Sequence, residues 1–213
     1  MPFTRRLLSL TAVATAAALT LSATPASAAT IQTGHIDALD VDYSGGALTL
    51  NIRTQNPAND DLSPTGTVLR VLPASAGTIP SGSTWACLGA AGSTTYVLPQ
   101  SQNPNLLWPG WDTYDVPVAQ GPIRMQLVSW TTPPGGRFAL YTVSLGGPTY
   151  RLNTNGAAGC TITTWPGNIA RGVHGHGNWA FNTLGTYTLT FRATAQGGAG
   201  VTSGNVTYTF QVG

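Results

Sequence analysis

The chain contains no lysine and no glutamate. Its nine basic side chains are all arginines and its seven acidic ones are all aspartates. Charged residues make up 8% of the sequence, against about 25% in an ordinary soluble domain. Threonine, serine, asparagine, glutamine and backbone must therefore carry most of the solvation. The formal net charge of +2 is that of Arg5 and Arg6, since the remaining seven arginines balance the seven aspartates. Such a charge balance excludes the basic footprint of a nucleic-acid binder and the polybasic patch of an anionic-lipid binder.

Helical patterning is also missing beyond the N-terminal segment, because proline, glycine and threonine interrupt every window long enough for a helix. No later run is apolar enough to span a bilayer, so the mature chain is expected to have no transmembrane segment. Enzyme signatures are absent as well. There is no G-x-S-x-G and no H-E-x-x-H. The aspartates show no spacing that argues for a glycosidase pair. The expected mature N-terminus is alanine, which argues against a copper monooxygenase that uses a terminal histidine amine. Gln196-Gly197-Gly198-Ala199-Gly200 has no helix pattern after it, so it reads as a turn between strands and not as a phosphate loop. No catalytic residues are assigned, and a non-enzymatic protein is expected.

What is present begins with an export signal. Arg5 and Arg6 precede the apolar run Leu7 to Leu21, and Ala26-Ser27-Ala28 is a small-residue cleavage site. Residues 1–28 are therefore expected to be a signal peptide. Residues 29–213, numbering 185 (213 minus 28), form one domain large enough for a substantial core. The protein is expected to be secreted, extracellular or associated with the cell surface. Cys87 and Cys160 are the only cysteines. In an exported chain they most simply form one disulfide, and two buried thiols are the alternative.

Strand patterns are plentiful. Leu39, Val41 and Tyr43 alternate with aspartates, and Ser44-Gly45-Gly46 reads as a hairpin turn into Leu48, Leu50 and Ile52. Further strands are expected at Thr67 to Leu72, Thr95 to Leu98, Ile123 to Leu127 and Phe138 to Leu145. The last two run from Tyr187 to Thr194 and from Val206 to Val212. Gly185-Thr186-Tyr187 resembles the start of the penultimate strand of immunoglobulin-like domains. The expected fold is all-β, a two-sheet antiparallel β-sandwich of immunoglobulin-like type. Pro99 to Pro122 reads as a long loop, functional or packed down by its own aromatics.

All three histidines fall in two short signatures, His35 in GHID and His174 and His176 in HGHGNWAF. Residues two apart on an extended chain face the same way. His174 and His176 therefore make a chelating pair, and His35 shares a face with Asp37. Three imidazoles and a carboxylate suit zinc, or copper. The plainer alternative is strand-end histidines bonded to backbone. A second candidate is Trp108 with Trp111 in LWPGW, which can stack on a sugar or cap the sandwich end.

GHID, LPQSQNPNLLWPGW and HGHGNWAF..LGTYTLTFRATA occur in that order over nearly the whole mature chain. Together they resemble the actinobacterial surface-anchored repeat domain, also called the choice-of-anchor M domain. The resemblance implies a cell-surface binding role. It also implies, as partner, the substrate-binding component of a metal-type ABC transporter. A cell-wall polymer is the alternative partner. Unlike anchored members, this chain ends at Gly213 without a hydrophobic tail, so free secretion is expected.

Overall fold

The computed structural model describes residues 29–55 and 60–213, together with Met1. The expected signal peptide lies outside the described residues apart from Met1. The first strands are β1 (Ala29–Ile31), β2 (Gly34–Ser44), β3 (Ala47–Thr54), β4 (Asp60–Leu62) and β5 (Thr67–Val71). Next come β6 (Ala76–Thr78), β7 (Thr94–Leu98), β8 (Leu107–Asp112), β9 (Ile123–Thr131) and β10 (Phe138–Ser144). The last are β11 (Gly147–Asn153), β12 (His174–His176), β13 (Asn178–Phe181), β14 (Gly185–Ala195) and β15 (Val206–Val212).

Alternation builds these strands. Along β14, Tyr187, Leu189, Phe191, Ala193 and Ala195 are buried, while the threonines and Arg192 between them reach solvent. A period of two places one row in the core and the other outside. β15 repeats the pattern with Tyr208, Phe210 and Val212. The hydroxyl of Tyr187 donates to the carbonyl of Thr183 at 2.9 Å and accepts from its N–H at 3.2 Å, tying the start of β14 to the preceding turn.

The strands form three five-stranded sheets, and no barrel closes. The first sheet has the order β1-β5-β15-β14-β9, the second β11-β10-β13-β7-β6 and the third β12-β8-β2-β3-β4. The first sheet packs on the other two. Trp179 and Phe181 of β13 meet Phe210 of β15 with ring centroids 5.6 and 5.2 Å apart. β3 of the third sheet lies on β14, and Tyr208 Oη donates to the carbonyl of Asn51 at 3.2 Å across the layers. One continuous core joins Leu39, Val41, Leu50 and Ile52 to Leu189, Phe191 and Phe210.

The all-β expectation holds, with three differences. One layer is divided between two sheets, because the chain leaves β12 in the third sheet and enters β13 in the second across the single residue Gly177. The pairing is also mixed. β1 and β15 both run parallel to β5, and β2 runs parallel to β8. A third difference concerns residues 99–122, expected as a loop. They contain β8, a strand hydrogen-bonded on both sides. Pro109 and Gly110 hide it in the sequence, since proline offers no ladder donor and glycine weakens a strand.

Cys87 and Cys160 are joined in a disulfide, as expected, with a sequence separation of 73. Closing such a loop contributes roughly 4 kcal/mol in the chain-entropy account. The carbonyl of Cys87 also accepts from the side-chain amides of the buried Asn153 and Asn155. Among the described residues, no helix is long and apolar enough to cross a membrane.

Candidate metal centre

The third sheet brings the two histidine signatures together. β8 lies between β2 and β12, and register aligns His35 with Trp108, Asp37 with Gly110, and Gly110 with His176. His174 stands opposite Asp112. His35 and Asp37 therefore share a face with Trp108, Gly110, Asp112, His174 and His176.

Two neighbours of a central strand normally stay apart, separated by its side chains. Here the central position is Gly110. A Cβ on it would lie 2.7 Å from Asp37 Oδ1 and 2.8 Å from His176 Cε1. The missing side chain is the space in which the donors meet. Glycine has a matching role in β12, where Gly175 and Gly177 face away from the histidines. A Cβ on Gly175 would lie 2.6 Å from the indole of Trp111, so that ring lies flat against the back of the strand. The alternation of histidine and glycine in HGHG thus presents imidazoles on one face and leaves room for an indole on the other.

His35 Nε2 lies 3.2 Å from His174 Nε2 and 3.1 Å from His176 Nε2. Asp37 Oδ1 lies 2.7 Å from His174 Nε2 and 3.6 Å from His35 Nε2. The donor atoms of all four residues fall within 4.8 Å of one another. Protons alone do not satisfy this arrangement, because each ring N–H points one way and a ring nitrogen that carries a proton no longer accepts. A cation at the centre accepts four lone pairs at once. With metal–nitrogen bonds of 2.0–2.1 Å, the edge of a tetrahedral zinc site is about 3.3 Å. The four distances scatter around that value.

The surroundings suit neutral ligands. Burial holds the His176 imidazole down at about 4, reinforced by His174 and His35, while the Pro109 carbonyl acts weakly the other way. Burial also holds His35 below its ordinary value against the opposing pull of Asp37. A neutral imidazole is the form that binds a metal. The side chains of His35 and Asp37 are nearly covered, at 6% and 7% exposure, and that of His174 is at 33%. The site thus opens to solvent on the His174 side.

Trp108 is part of the site's wall. Its ring stacks on His176 with centroids 3.7 Å apart and planes 10° from parallel. Its Nε1 donates to the Gln100 carbonyl at 2.9 Å, which fixes the ring. Trp111, three residues on, faces the other way and packs edge-on against Trp165 at 4.8 Å. The structure therefore does not join Trp108 and Trp111 into one platform. Sequence reasoning found the four donors and missed Gly110 and the role of Trp108. The spacing of Trp108, Gly110 and Asp112 is a strand period, masked in the sequence by Pro109 between them.

A second polar group continues along the same face. A register shift in β2 between Asp37 and Asp40 places Ala38 and Leu39 in the core, so Asp40 and Asp42 follow Asp37 along one face of the sheet, with Asp40 fully buried. Burial, then Asp42, pushes Asp40 up to about 8, with Arg53 opposing. Burial raises Asp112 as well.

Compared with protein-family models, with curated proteins and with solved structures, the chain matches none of them.

Proposed function

We propose that this is a secreted or cell-surface binding domain, non-enzymatic, that captures a transition metal through His35, Asp37, His174 and His176, with zinc the favoured ion. One observation carries the choice of ion. In a square-planar copper site each donor has a partner across the metal at about 4 Å. His35 Nε2 has distances of 3.2, 3.1 and 3.6 Å to the other three residues, and so no such partner. Near-equal edges are those of a tetrahedron, the geometry zinc adopts.

The sequence supports export through residues 1–28, and a disulfide agrees with an oxidising compartment. Resemblance to the actinobacterial surface-anchored domain supports a role beside a metal-type ABC transporter, with the substrate-binding component as receiving partner. The Tyr187 hydroxyl bonded back to Thr183 supports the immunoglobulin-like reading of the sandwich. No observation favours a sugar-stacking site at the tryptophans.

The test is metal titration of residues 29–213 by calorimetry and thermal melting, with a His174→Ala/His176→Ala variant alongside. Zinc at about a hundred times its dissociation constant stabilises the fold by roughly 2.7 kcal/mol. A rise in Tm for the wild type and none for the variant is expected. An equal response from both, or from neither, removes the proposal.

A further inference from the structure

The four donors of the histidine centre are not held alike. His35 and Asp37 stand on β2, an inner strand paired with β3 and β8, and their side chains are nearly covered. His176 lies under the Trp108 ring, stacked on it at 3.7 Å, and Trp108 is itself bonded to the Gln100 carbonyl. His174 differs on each count. It is the first residue of the edge strand β12, and its side chain is 33% exposed. Among the described residues, the polar contacts of its ring are with other donors alone, Asp37 Oδ1 at 2.7 Å and His35 Nε2 at 3.2 Å. Its ring neighbours are the imidazoles of His35 and His176, with no indole against it.

The backbone beside His174 is secured independently of its ring. The buried Thr113 bonds both polar groups of Val173. Its N–H donates to the Val173 carbonyl at 3.0 Å, and its hydroxyl accepts from the Val173 N–H at 3.1 Å. His174 can therefore turn its imidazole outward about its own side-chain bonds while β12 stays on β8. Such rotations of exposed side chains take picoseconds to nanoseconds. The bond to the metal, and not the fold, then sets how long His174 stays in place. His35 has no such path, because its ring is wedged between Trp108 at 5.1 Å and the other two imidazoles.

Resting on the reading that these four residues hold zinc, we propose that His174 is the exchanging ligand, through which the metal passes to a partner protein that presents an imidazole. The incoming nitrogen gives its lone pair to the zinc on the open side, and the ion expands to five donors, as zinc tolerates. His174 Nε2 then leaves with its own lone pair. One metal–nitrogen bond forms and one breaks, with no change of oxidation state and no proton transfer between neutral imidazoles. His35, Asp37 and His176 keep the ion until the partner supplies further donors. A neutral donor suits this mouth better than a carboxylate or thiolate. Asp112 stands opposite His174 in register and Asp37 touches its ring, so an anionic donor would meet like charge on approach.

The experiment uses the zinc-loaded protein, terpyridine as a neutral acceptor, and free imidazole in place of the partner's side chain. In the wild type, zinc transfer to excess terpyridine, followed by stopped-flow absorption, is expected to quicken in proportion to terpyridine concentration, as ligand exchange requires. In calorimetric titrations, millimolar imidazole should strengthen zinc binding by His174→Ala about tenfold relative to the wild type in the same solution, the scale of one contact at a metal site. His35→Ala should gain nothing. Melting points without zinc verify that both variants fold, and the transfer kinetics need neither. A transfer rate independent of terpyridine overturns the proposal, because the metal then departs unaided. So does imidazole that rescues neither variant, or both alike. Failure of the wild type to bind zinc is a separate result, which removes the metal centre and the exchange with it.

Discussion

Gly110 is the residue on which the histidine centre depends most without supplying a donor. Asp37 on one flanking strand and His176 on the other reach over it, at 2.7 and 2.8 Å from where a Cβ would stand. The backbone of Gly175 adds a third obstacle at 2.8 Å. Gly110→Ala therefore drives apart the side chains that must converge. Overpacking of this kind costs roughly 1–3 kcal/mol. Zinc affinity is expected to fall at least tenfold, the lower end of what displaced supporting contacts cost a metal site. Calorimetry on the variant checks this, and unchanged affinity would mean that the donors do not meet over Gly110. The stacked ring of Trp108 holds His176 from the side, so the site is bounded below by an absent side chain and laterally by a large one.

β12 is a three-residue edge strand, paired only with β8 among the described residues. Short edge strands open readily, because few hydrogen bonds and little buried apolar surface retain them. A metal held by β2 and β12 ties this edge to an inner strand across residues 137 to 141 apart in sequence. Amide hydrogen exchange in residues 173–177 is therefore expected to slow by an order of magnitude or more on adding zinc, and to recover on chelation. The β14–β15 hairpin, in the other layer, should not change. Equal slowing in both would point to global stabilisation instead. The elements differ in how plainly the sequence announces them. β14 and β15 are legible because a strict period of two runs through residues with one buried and one solvated face. β8 is not, because Pro109 and Gly110 occupy its centre and neither residue type announces a strand. His174 and His176 were legible as a pair, since their convergence needs only a local strand. Their meeting with His35 was not, since it depends on β8 lying between two distant segments. The acidic cluster was visible only as scattered aspartates, because the register shift that aligns Asp40 with Asp37 leaves no trace in composition.

Across the whole molecule, charge is strongly segregated. Asp37, Asp40 and Asp42 lie on β2, Asp60 and Asp61 on β4, Asp112 on β8 and Asp115 in the turn that follows it. All seven aspartates of the sequence thus stand on strands of the third sheet or at its margin. Arg70, Arg124 and Arg192 lie on the first sheet. A net charge of only +2 therefore conceals a negative face around the histidine cluster. Such a field steers cations inward and is screened over about 10 Å at 0.1 M salt. The association rate of zinc, followed by stopped flow, is expected to fall several-fold between low and physiological salt, with the dissociation rate nearly constant. A salt-independent association rate would show that the field does not guide capture. The first sheet has a consequence of another kind. Its strand nearest the N-terminus, β1, and its C-terminal strand, β15, both run parallel to β5, which lies between them. Tension applied at Ala29 and Gly213 therefore pulls from opposite ends of the sheet. The hydrogen bonds on both sides of β5 bear the load together, in shear, and do not open one after another. A domain held at one end and dragged by flow or by a partner at the other would keep its histidine face assembled until that whole clamp gave way.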